Sequence, residues 1–207
     1  MNKFLTKSME KIFNTLGSNL DEFKNKTILI TGANGLIGGF LSEFFMYLND
    51  EHDFNSKLVL TSLSDDPKRL GNLIYRKDVQ YYSRDLTNDS WFFDEIDFCI
   101  YCAGYAQPNK FLSDAEKTYQ LNVDAMVRTF QSVMFERKKS KMLFISSSEV
   151  YALNNITKPH CETDELKLDL WHKRAPYIIG KVTGEYNVGL LREKGYNVKS
   201  ARVSLCY

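Results

Sequence analysis

A tyrosine and a lysine in the segment APYIIGKVTGE have the types and the spacing that suit proton transfer. Tyr177 and Lys181 are four residues apart, so on a helix their side chains share one face. A lysine ammonium close to a phenol favours the phenolate and lowers the pKa of the phenol. Tyr177 is therefore a candidate general base near neutral pH, with Lys181 as its supporting cation.

Polar residues collect where the apolar run of KMLFISSSEVYA ends. Ser146, Ser147, Ser148 and Glu149 follow this run directly, and ligands of doubly wound sheets bind beyond the carboxyl ends of the strands. A serine hydroxyl there can orient a substrate alcohol while a nicotinamide accepts hydride. Glu149 has two interpretations at this point: an acid/base group beside the reacting carbons, or a solvated residue that opens a loop.

Gly32, Gly35 and Gly38 in TILITGANGLIGGFL lie between a predicted strand and a predicted helix. They permit a tight turn, let backbone N–H groups reach a pyrophosphate and let the helix pack on the strand. The strand–turn–helix context makes this glycine spacing specific. The residues that this turn assigns to a dinucleotide are Gly32, Asn34, Gly35, Leu36, Ile37 and Gly38.

The end of the second predicted strand bears on the choice between NAD and NADP. An acidic residue usually binds the adenine ribose hydroxyls there, but this chain has Ser62 and no acid until Asp65. Ser62 can bond to a ribose hydroxyl without repelling a 2′-phosphate. No arginine stands directly beside it, although Lys68 and Arg69 follow. The residues favour NAD, with NADP as the less favoured alternative.

A further contact with the dinucleotide is expected where the third strand ends. Asp85 and Leu86 occupy this place, from which a side chain can approach the adenine. An ordinary turn acid or helix N-cap is the alternative role for Asp85.

Short apolar segments alternate with longer segments of helical periodicity. Continuously apolar strands separated by helices predict an α/β fold, a Rossmann-type doubly wound parallel sheet with helices on both faces. The predicted strands are 27–31, 57–62, 79–82, 97–103, 142–147 and 197–205, and the predicted helices are 38–48, 114–136 and 177–194. The long polar loop 153–176 is expected to be functional.

The chain is predicted to have two parts. Residues 1–25 predict an amphipathic helix, because Leu5, Met9 and Ile12 recur at helical spacing. Residues 26–207 predict the dinucleotide-binding domain.

Composition and charge exclude several classes of protein. Hydrophobic residues make up 43% and charged residues 26% of the chain, as in ordinary globular proteins. A formal net charge of +1 gives no excess of positive charge that would attract nucleic acid. No apolar run reaches the about 20 residues of a membrane span.

Cys99 and Cys102 lie in an apolar strand, which indicates core cysteines of a cytoplasmic protein. The scattered histidines predict no metal site.

The motifs together resemble those of one enzyme family. TGANGLIG, the DL pair at 85–86, YCAG, QLNVD, SSSEVYA and YIIGK are similar to the NAD-dependent nucleotide-sugar epimerase/dehydratase family of the extended short-chain dehydrogenase/reductase superfamily. The resemblance implies that Ser147, Tyr177 and Lys181 are catalytic. The residues that it implies around the cofactor are Cys102, Ala103, Gly104, Asn122, Tyr177 and Lys181.

A finer resemblance is to UDP-glucuronate decarboxylases, which share the order hydroxyl–Ser–Glu–Val–Tyr found at Ser147, Ser148 and Glu149. It implies that the sugar C4 hydroxyl is oxidised to a ketone, which acidifies the C5 hydrogen and turns a C5 carboxylate into a β-keto acid. Ser148 and Glu149 then join the catalytic set. The resemblance also implies a nucleotide-sugar substrate and a homodimer formed through the helices around 114–136 and 177–194.

Two other functions stay open. An NADPH-dependent keto-sugar reductase fits the uncharged residue Ser62. A non-catalytic NAD(P)-binding module is the other, because similar enzymes continue into a C-terminal substrate domain that is expected to be largely missing here. The complete set of Ser147, Tyr177 and Lys181 argues against the module, since a module that only binds has no need of it.

Overall fold

The computed structural model describes residues 3–88, 93, 95–136, 139–152 and 159–204. Its strands are β1 Thr27–Thr31, β2 Lys57–Ser62, β3 Val79–Ser83, β4 Phe98–Tyr101, β5 Lys141–Ser147 and β6 Asn197–Val203. Its helices are α1 Lys3–Leu16, α2 Leu36–His52, α3 Pro108–Ser113, α4 Ala115–Asn122, α5 Asp124–Glu136 and α6 Ala175–Glu193. Short 3-10 helices cover Gly17–Phe23, Gly71–Tyr75 and Ser148–Tyr151.

The strands of the described residues form one parallel sheet in the order β3-β2-β1-β4-β5-β6. Thr31, at the end of β1, lies opposite Thr61 of β2 and Tyr101 of β4. The chain leaves β1 toward one edge of the sheet and β4 toward the other, so a crevice opens between their carboxyl ends. This arrangement confirms the predicted Rossmann-type doubly wound sheet.

The two faces of the sheet contribute to separate core clusters. Because successive residues of a strand point to opposite faces, Leu29 belongs to one cluster while Ile28 and Ile30 belong to the other. Residues of α5 and α6 complete the first cluster, and residues of α1 and α2 complete the second. Full burial of each large aliphatic side chain contributes about 1.5–3 kcal/mol.

The predicted helix 114–136 is divided into α4 and α5. Val123 separates them with φ −115° and ψ −76°, away from regular helical values. The Asn122 side chain donates to the Thr118 carbonyl (2.8 Å), and the Tyr101 hydroxyl donates to the Leu121 carbonyl (2.7 Å). Side-chain donors compete for carbonyls that a continuous helix would use, so these bonds stabilise the break. They also fix Asn122 at the end of α4.

Two further differences concern segments near the predicted site. The predicted strand 97–103 ends early, because the backbone N–H groups of Cys102 and Ala103 both donate to the Thr31 hydroxyl at 3.1 Å. Helix α3 was not predicted, since its six residues carry too little periodicity; Pro108 opens it, as is common for proline in a first turn. Of the predicted loop 153–176, residues 153–158 lie outside the described part.

Helix α1 packs against the sheet domain. Met9 is fully buried in the same cluster as Ile28 and Leu48, and the Phe13 ring stacks on His52 with centroids 3.5 Å apart. The division of the chain at residue 25 stays a prediction. Among the helices that the structure describes, none is long and apolar enough to cross a membrane.

Cys99 and Cys102 contact opposite faces of the sheet. Cys99 lies in the first cluster, whereas Cys102 packs against the second, as their odd separation along an extended segment requires. Burial raises the pKa of the Cys102 thiol to about 12 and raises that of Cys99 further. Both thiols are therefore protonated at neutral pH, in agreement with the prediction of core cysteines.

Candidate active site

The glycine turn after β1 approaches the end of β4 closely. Gly32 has φ +63°, and a Cβ there would lie 2.8 Å from the Cys102 carbonyl oxygen and 2.9 Å from the Ala103 backbone. A Cβ on Gly38 would lie 2.5 Å from the Gly32 carbonyl oxygen. Gly35 is the N-cap of α2 and supplies no capping side chain. The turn therefore forms a backbone cradle at a helix N-terminus, which suits a phosphate group.

A cavity of about 400 Å³ opens beside this cradle at the carboxyl ends of β1, β2 and β4. The predicted cofactor residues that line it are Gly32, Asn34, Gly35, Ser62, Asp85, Leu86, Cys102, Ala103 and Gly104. Leu36, Ile37 and Gly38 form the adjacent first turn of α2. Residues that follow four strands, β1, β2, β3 and β4, thus meet in one crevice.

Gly104 connects this crevice with the predicted catalytic residues. A Cβ on Gly104 would lie 3.5 Å from Oδ1 of Asn122 and 3.8 Å from Nζ of Lys181. Oδ1 of Asn122 is buried and has no hydrogen-bond partner among the described residues. An unpaired buried acceptor beside a cavity indicates a place where a ligand donor fits.

Ser147 and Tyr177 lie close to each other. Ser147 ends β5 and Tyr177 lies in the first turn of α6, where the Ser147 side chain acts to lower the pKa of the Tyr177 phenol. Lys181 is one turn further along α6, with Nζ 5.7 Å from the centre of the Tyr177 ring. Its ammonium donates to the Ile145 carbonyl at 2.7 Å. The structure therefore brings together the serine, tyrosine and lysine that the sequence singled out.

The pKa of Tyr177 differs from the sequence expectation. Burial raises the pKa of the phenol above its usual value; the Ser147 side chain acts to lower it, Glu149 to raise it and Arg174 to lower it. The expected lowering by Lys181 is wrong for this arrangement, because burial dominates and the Lys181 ammonium donates to the Ile145 carbonyl. Burial also lowers the pKa of Lys181 to about 8, so its charge is itself titratable near physiological pH.

Lys181 is expected to make the stability of the fold depend on pH. Its pKa is about 8 when folded against an ordinary 10.5, so between these values the unfolded chain binds more protons and the unfolding free energy rises with pH. The variant Lys181→Met lacks this titration. Denaturant unfolding of both proteins at about pH 7.5 and about pH 9.5 should show the parent gaining about 1–2 kcal/mol relative to the variant. If the difference in unfolding free energy between the parent and the variant were the same at both pH values, the lowered pKa of Lys181 would be contradicted.

Ser146 and Ser147, after the apolar run, have separate partners. Ser146 donates to the Glu185 carboxylate, which Arg202 also holds through contacts of 2.7–3.1 Å. The Ser147 hydroxyl accepts from the Glu149 N–H at 3.2 Å and acts on the pKa of Tyr177. Ser146 therefore has a structural contact on α6, and Ser147 lies beside the predicted general base.

Glu149 forms an ion pair that the sequence did not indicate. Its carboxylate lies 2.8 Å from the Arg174 guanidinium, yet Oε2 of Glu149 and Nε of Arg174 are buried without aligned hydrogen bonds. Arg174 also lies over the Phe111 ring (5.4 Å), which stacks on Tyr177 with centroids 4.9 Å apart. Only the position of Arg174, three residues before Tyr177, could have indicated this contact.

A second cavity, of about 430 Å³, is lined in part by two of the predicted catalytic residues, Ser148 and Glu149. The other lining residues are Tyr151, Ala152, His160, Glu162, Arg202 and Ser204. Arg202 contacts the Tyr151 hydroxyl and the Glu162 carbonyl. Hydrogen bonds within the cavity wall therefore connect β6 with the loop before α6.

Asp85 has the turn role that was the alternative prediction. One carboxylate oxygen accepts from the N–H and hydroxyl of Thr87 at 3.0 and 2.7 Å, and the other pairs with Lys117 at 2.5 Å. Burial acts to raise the pKa of Asp85, but the bonds with Lys117 and Thr87 outweigh it and lower the pKa below its usual value. Asp85 nevertheless lines the crevice together with Arg84, which the sequence analysis did not select.

Solved structures with similar folds are nucleotide-sugar enzymes. UDP-N-acetylglucosamine 4-epimerase from Methanobrevibacter ruminantium, in complex with UDP-N-acetylmuramic acid, matches with a TM-score of 0.70 at 23% identity over 86% of this chain and 55% of its own. UDP-glucuronic acid 4-epimerase from Bacillus cereus, in complex with NAD, matches with a TM-score of 0.67 at 20% identity over 87% and 57%. UDP-glucose 4-epimerase from Thermotoga maritima matches with a TM-score of 0.68 at 18% identity over 85% and 55%.

These likenesses establish the fold, and the chain spans about half the length of the structures that it matches. A search of curated proteins found no match. The family model described as the NAD dependent epimerase/dehydratase family matches residues 28–207. Because this match covers most of the chain and the structure has the corresponding doubly wound sheet, the chain belongs to the NAD-dependent epimerase/dehydratase family.

Proposed function

We propose that this chain binds NAD and acts on a nucleotide sugar through a 4-keto sugar intermediate. The observation that carries the proposal is the meeting of Ser147, Tyr177 and Lys181 at the end of the glycine-lined crevice, beside Gly104. A site that only binds a dinucleotide has no use for a buried serine, tyrosine and lysine at this end. The membership of the chain in an epimerase/dehydratase family supports the same class of reaction.

The residues present fit NAD. The cradle at Gly32 and Gly38 has no room for side chains and leaves backbone N–H groups for the pyrophosphate. The Thr61 hydroxyl, at the end of β2 in the crevice, is buried without a partner among the described residues. Oδ1 of Asn122 is a second unpaired buried atom at the opposite end of the crevice. The carboxamide and hydroxyl groups of the cofactor can satisfy such atoms.

Each residue of the catalytic set has a distinct task in this proposal. NAD supplies a hydride acceptor for the sugar C4 carbon and later returns the hydride. Ser147 orients the C4 hydroxyl through a hydrogen bond, and Tyr177 takes the proton from that hydroxyl as its general base. Lys181, with Nζ 5.7 Å from the centre of the Tyr177 ring, stabilises the phenolate form of Tyr177, which becomes a neutral phenol when it accepts this proton. The raised pKa of Tyr177 means that this stabilisation must increase when the substrate is bound.

Glu149 is proposed to act on the neighbouring carbon. A ketone at C4 acidifies the C5 hydrogen, and a carboxylate next to Tyr177 can remove it or return it. Removal at C5 leads to epimerisation or dehydration, whereas a substrate with a C5 carboxylate would lose carbon dioxide. A decarboxylase-like reaction is the finer form of the proposal, on the order of Ser147, Ser148 and Glu149. The cavity lined by Ser148 and Glu149 is the proposed space for the sugar.

A keto-sugar reductase that consumes NADPH is the second candidate. The observation in its favour is that Arg84 lines the crevice together with Ser62. Ser62 stands at the place that an acidic residue usually occupies. An arginine at that place suits the 2′-phosphate of NADP. Net reduction of a keto sugar at the expense of NADPH would favour this candidate.

A homodimer is proposed through α4 and α6. These helices are in mutual contact and expose large side chains: Tyr119 of α4 and Tyr186 and Leu190 of α6. Exposed apolar surface on two adjoining helices suits an interface between subunits.

The reaction is tested by incubating the purified chain and NAD with a panel of UDP- and TDP-sugars in deuterium oxide. Product formation is followed by ¹H NMR. Under the proposal, at least one nucleotide sugar is converted with no net consumption of NAD and with deuterium incorporated at C5. No conversion of any sugar, with NAD binding demonstrated in the same sample, would contradict the catalytic part of the proposal.

A further inference from the structure

The hydroxyl of Ser62 is held by two neighbouring groups at the end of β2. The Ser62 and Tyr81 hydroxyls are 2.6 Å apart, and the Tyr81 hydroxyl donates to the Ser64 carbonyl. The Ser64 N–H in turn donates to the Ser62 hydroxyl oxygen at 3.3 Å. Ser62 and Ser64 line the crevice in the region where the adenine ribose would lie. Tyr81 stands behind them on the neighbouring strand β3.

The direction of these hydrogen bonds follows from the groups involved. A carbonyl oxygen can only accept, so the single proton of the Tyr81 phenol goes to Ser64. Tyr81 must then accept from Ser62, which uses the only proton of the Ser62 hydroxyl. Ser62 therefore has lone pairs to offer to a ligand but no proton to donate.

We propose that Tyr81 is a specificity-determining residue, which fixes the Ser62 oxygen as a hydrogen-bond acceptor for the ribose 2′-hydroxyl of NAD. This inference rests on the proposed binding of NAD in the crevice. The acidic residue that usually occupies the end of β2 is an acceptor with a negative charge. Ser62 keeps the acceptor and lacks the charge. A 2′-hydroxyl can donate to such an oxygen, whereas a 2′-phosphate, which needs donors, cannot gain a bond from it.

The surroundings of Tyr81 keep the hydrogen-bond direction fixed. Its ring packs against the core cluster that includes Leu58 and Leu60, so the phenol cannot swing away without losing buried contacts. Burial raises the pKa of Tyr81, Ser62 acts to lower it and Asp65 acts to raise it. The net shift is upward, so the phenol stays protonated and remains a donor at neutral pH.

A charge in the same crevice acts in the opposite direction. Arg84 lines the cavity, and a guanidinium attracts a 2′-phosphate. The Ser62 oxygen contributes one hydrogen bond to the binding of NAD. We therefore expect Tyr81 to change the ratio of the two dissociation constants by about tenfold.

The test measures the dissociation constants of NADH and NADPH by nicotinamide fluorescence, for the parent and for Tyr81→Phe. The variant keeps the ring but lacks the hydroxyl that accepts from Ser62. The Ser62 hydroxyl can then donate its proton to a phosphate. We expect the ratio of the NADPH to the NADH dissociation constant to fall by about tenfold. Tyr82→Phe is the matched control, since Tyr82 is exposed and its hydroxyl donates to Gln80 at 3.4 Å, and its ratio should equal that of the parent.

A second pair of variants separates the proposed role from a loop distortion. In Ser62→Ala the acceptor is absent, so adding Tyr81→Phe should leave the ratio unchanged. An equal fall in both backgrounds, or an unchanged ratio in Tyr81→Phe alone, would overturn the inference. Binding of neither dinucleotide by the parent would overturn the proposed function and this inference together, whereas binding of NADH with an unaffected ratio overturns the inference alone.

Discussion

Replacing Tyr177 with phenylalanine is expected to reduce turnover of the nucleotide sugar by about 10²–10⁴-fold while leaving NAD affinity nearly unchanged. Phenylalanine keeps the buried ring and its stacking on Phe111 but removes the phenolate oxygen that takes the proton from the C4 hydroxyl. The Ser147 hydroxyl still accepts from the Glu149 N–H. Rates from the NMR assay and dissociation constants from NADH fluorescence, measured on the same preparations, check both halves of this expectation.

Tyr75→Phe is the matched control for that variant. Tyr75 ends the 3-10 helix Gly71–Tyr75 and is 81% exposed, so loss of its hydroxyl should alter neither rate nor affinity. Parental turnover in Tyr177→Phe would exclude Tyr177 as the general base. Loss of NADH binding in parallel with turnover would instead mean that Tyr177 acts in holding the cofactor.

Replacing Gly32 with alanine is expected to abolish NAD binding and to destabilise the fold. The positive φ of +63° alone costs a residue with a Cβ about 1–2 kcal/mol. The added carbon would also lie within 2.9 Å of backbone atoms of Cys102 and Ala103, and backbone can yield only by moving the end of β4 away from β1. We expect NADH affinity to fall by at least about 100-fold, since the cradle itself must shift.

Gly189→Ala is the control for the glycine substitution. Gly189 lies within α6, and a Cβ there meets no atom within 4 Å. Alanine should therefore raise stability by up to about 1 kcal/mol and leave NADH affinity at the parental value. If Gly32→Ala bound NADH as tightly as the parent, the turn after β1 would not be the phosphate site.

The central strands β1, β2, β4 and β5 could be predicted because each contains a short apolar run. β1 and β2 have the predicted bounds, since buried parallel strands need apolar residues on both faces. The break between α4 and α5 could not be predicted, because the periodicity continues across Val123. The break depends on the Tyr101 and Asn122 hydrogen bonds, which are set by the packing of β4 against α4.

The proposed catalytic residues could be singled out for a similar reason. Tyr177 and Lys181 are four residues apart on one helix, and Ser147 ends a strand, so local pattern suffices to find them. Arg174 was missed because an arginine in a polar loop has no local signal; only the fold brings it to Glu149. The pKa of Tyr177 was predicted in the wrong direction, since burial and the Ile145 carbonyl are properties of the folded chain.

The proposed role of Tyr81 could not be predicted from the sequence. The pattern drew attention to Ser62, because the end of β2 is where an acidic residue is expected. The group that decides what Ser62 can offer lies on the next strand and contacts it only in the folded sheet.

Binding of NAD in the glycine-lined crevice is measured by isothermal titration of the purified chain with NAD, alongside the Gly32→Ala and Gly189→Ala variants. We expect saturable binding at a single site per chain, retained in Gly189→Ala and lost in Gly32→Ala. Absence of binding by the parent, or equal binding by all three proteins, would contradict the assignment of the glycine-lined crevice as the NAD site.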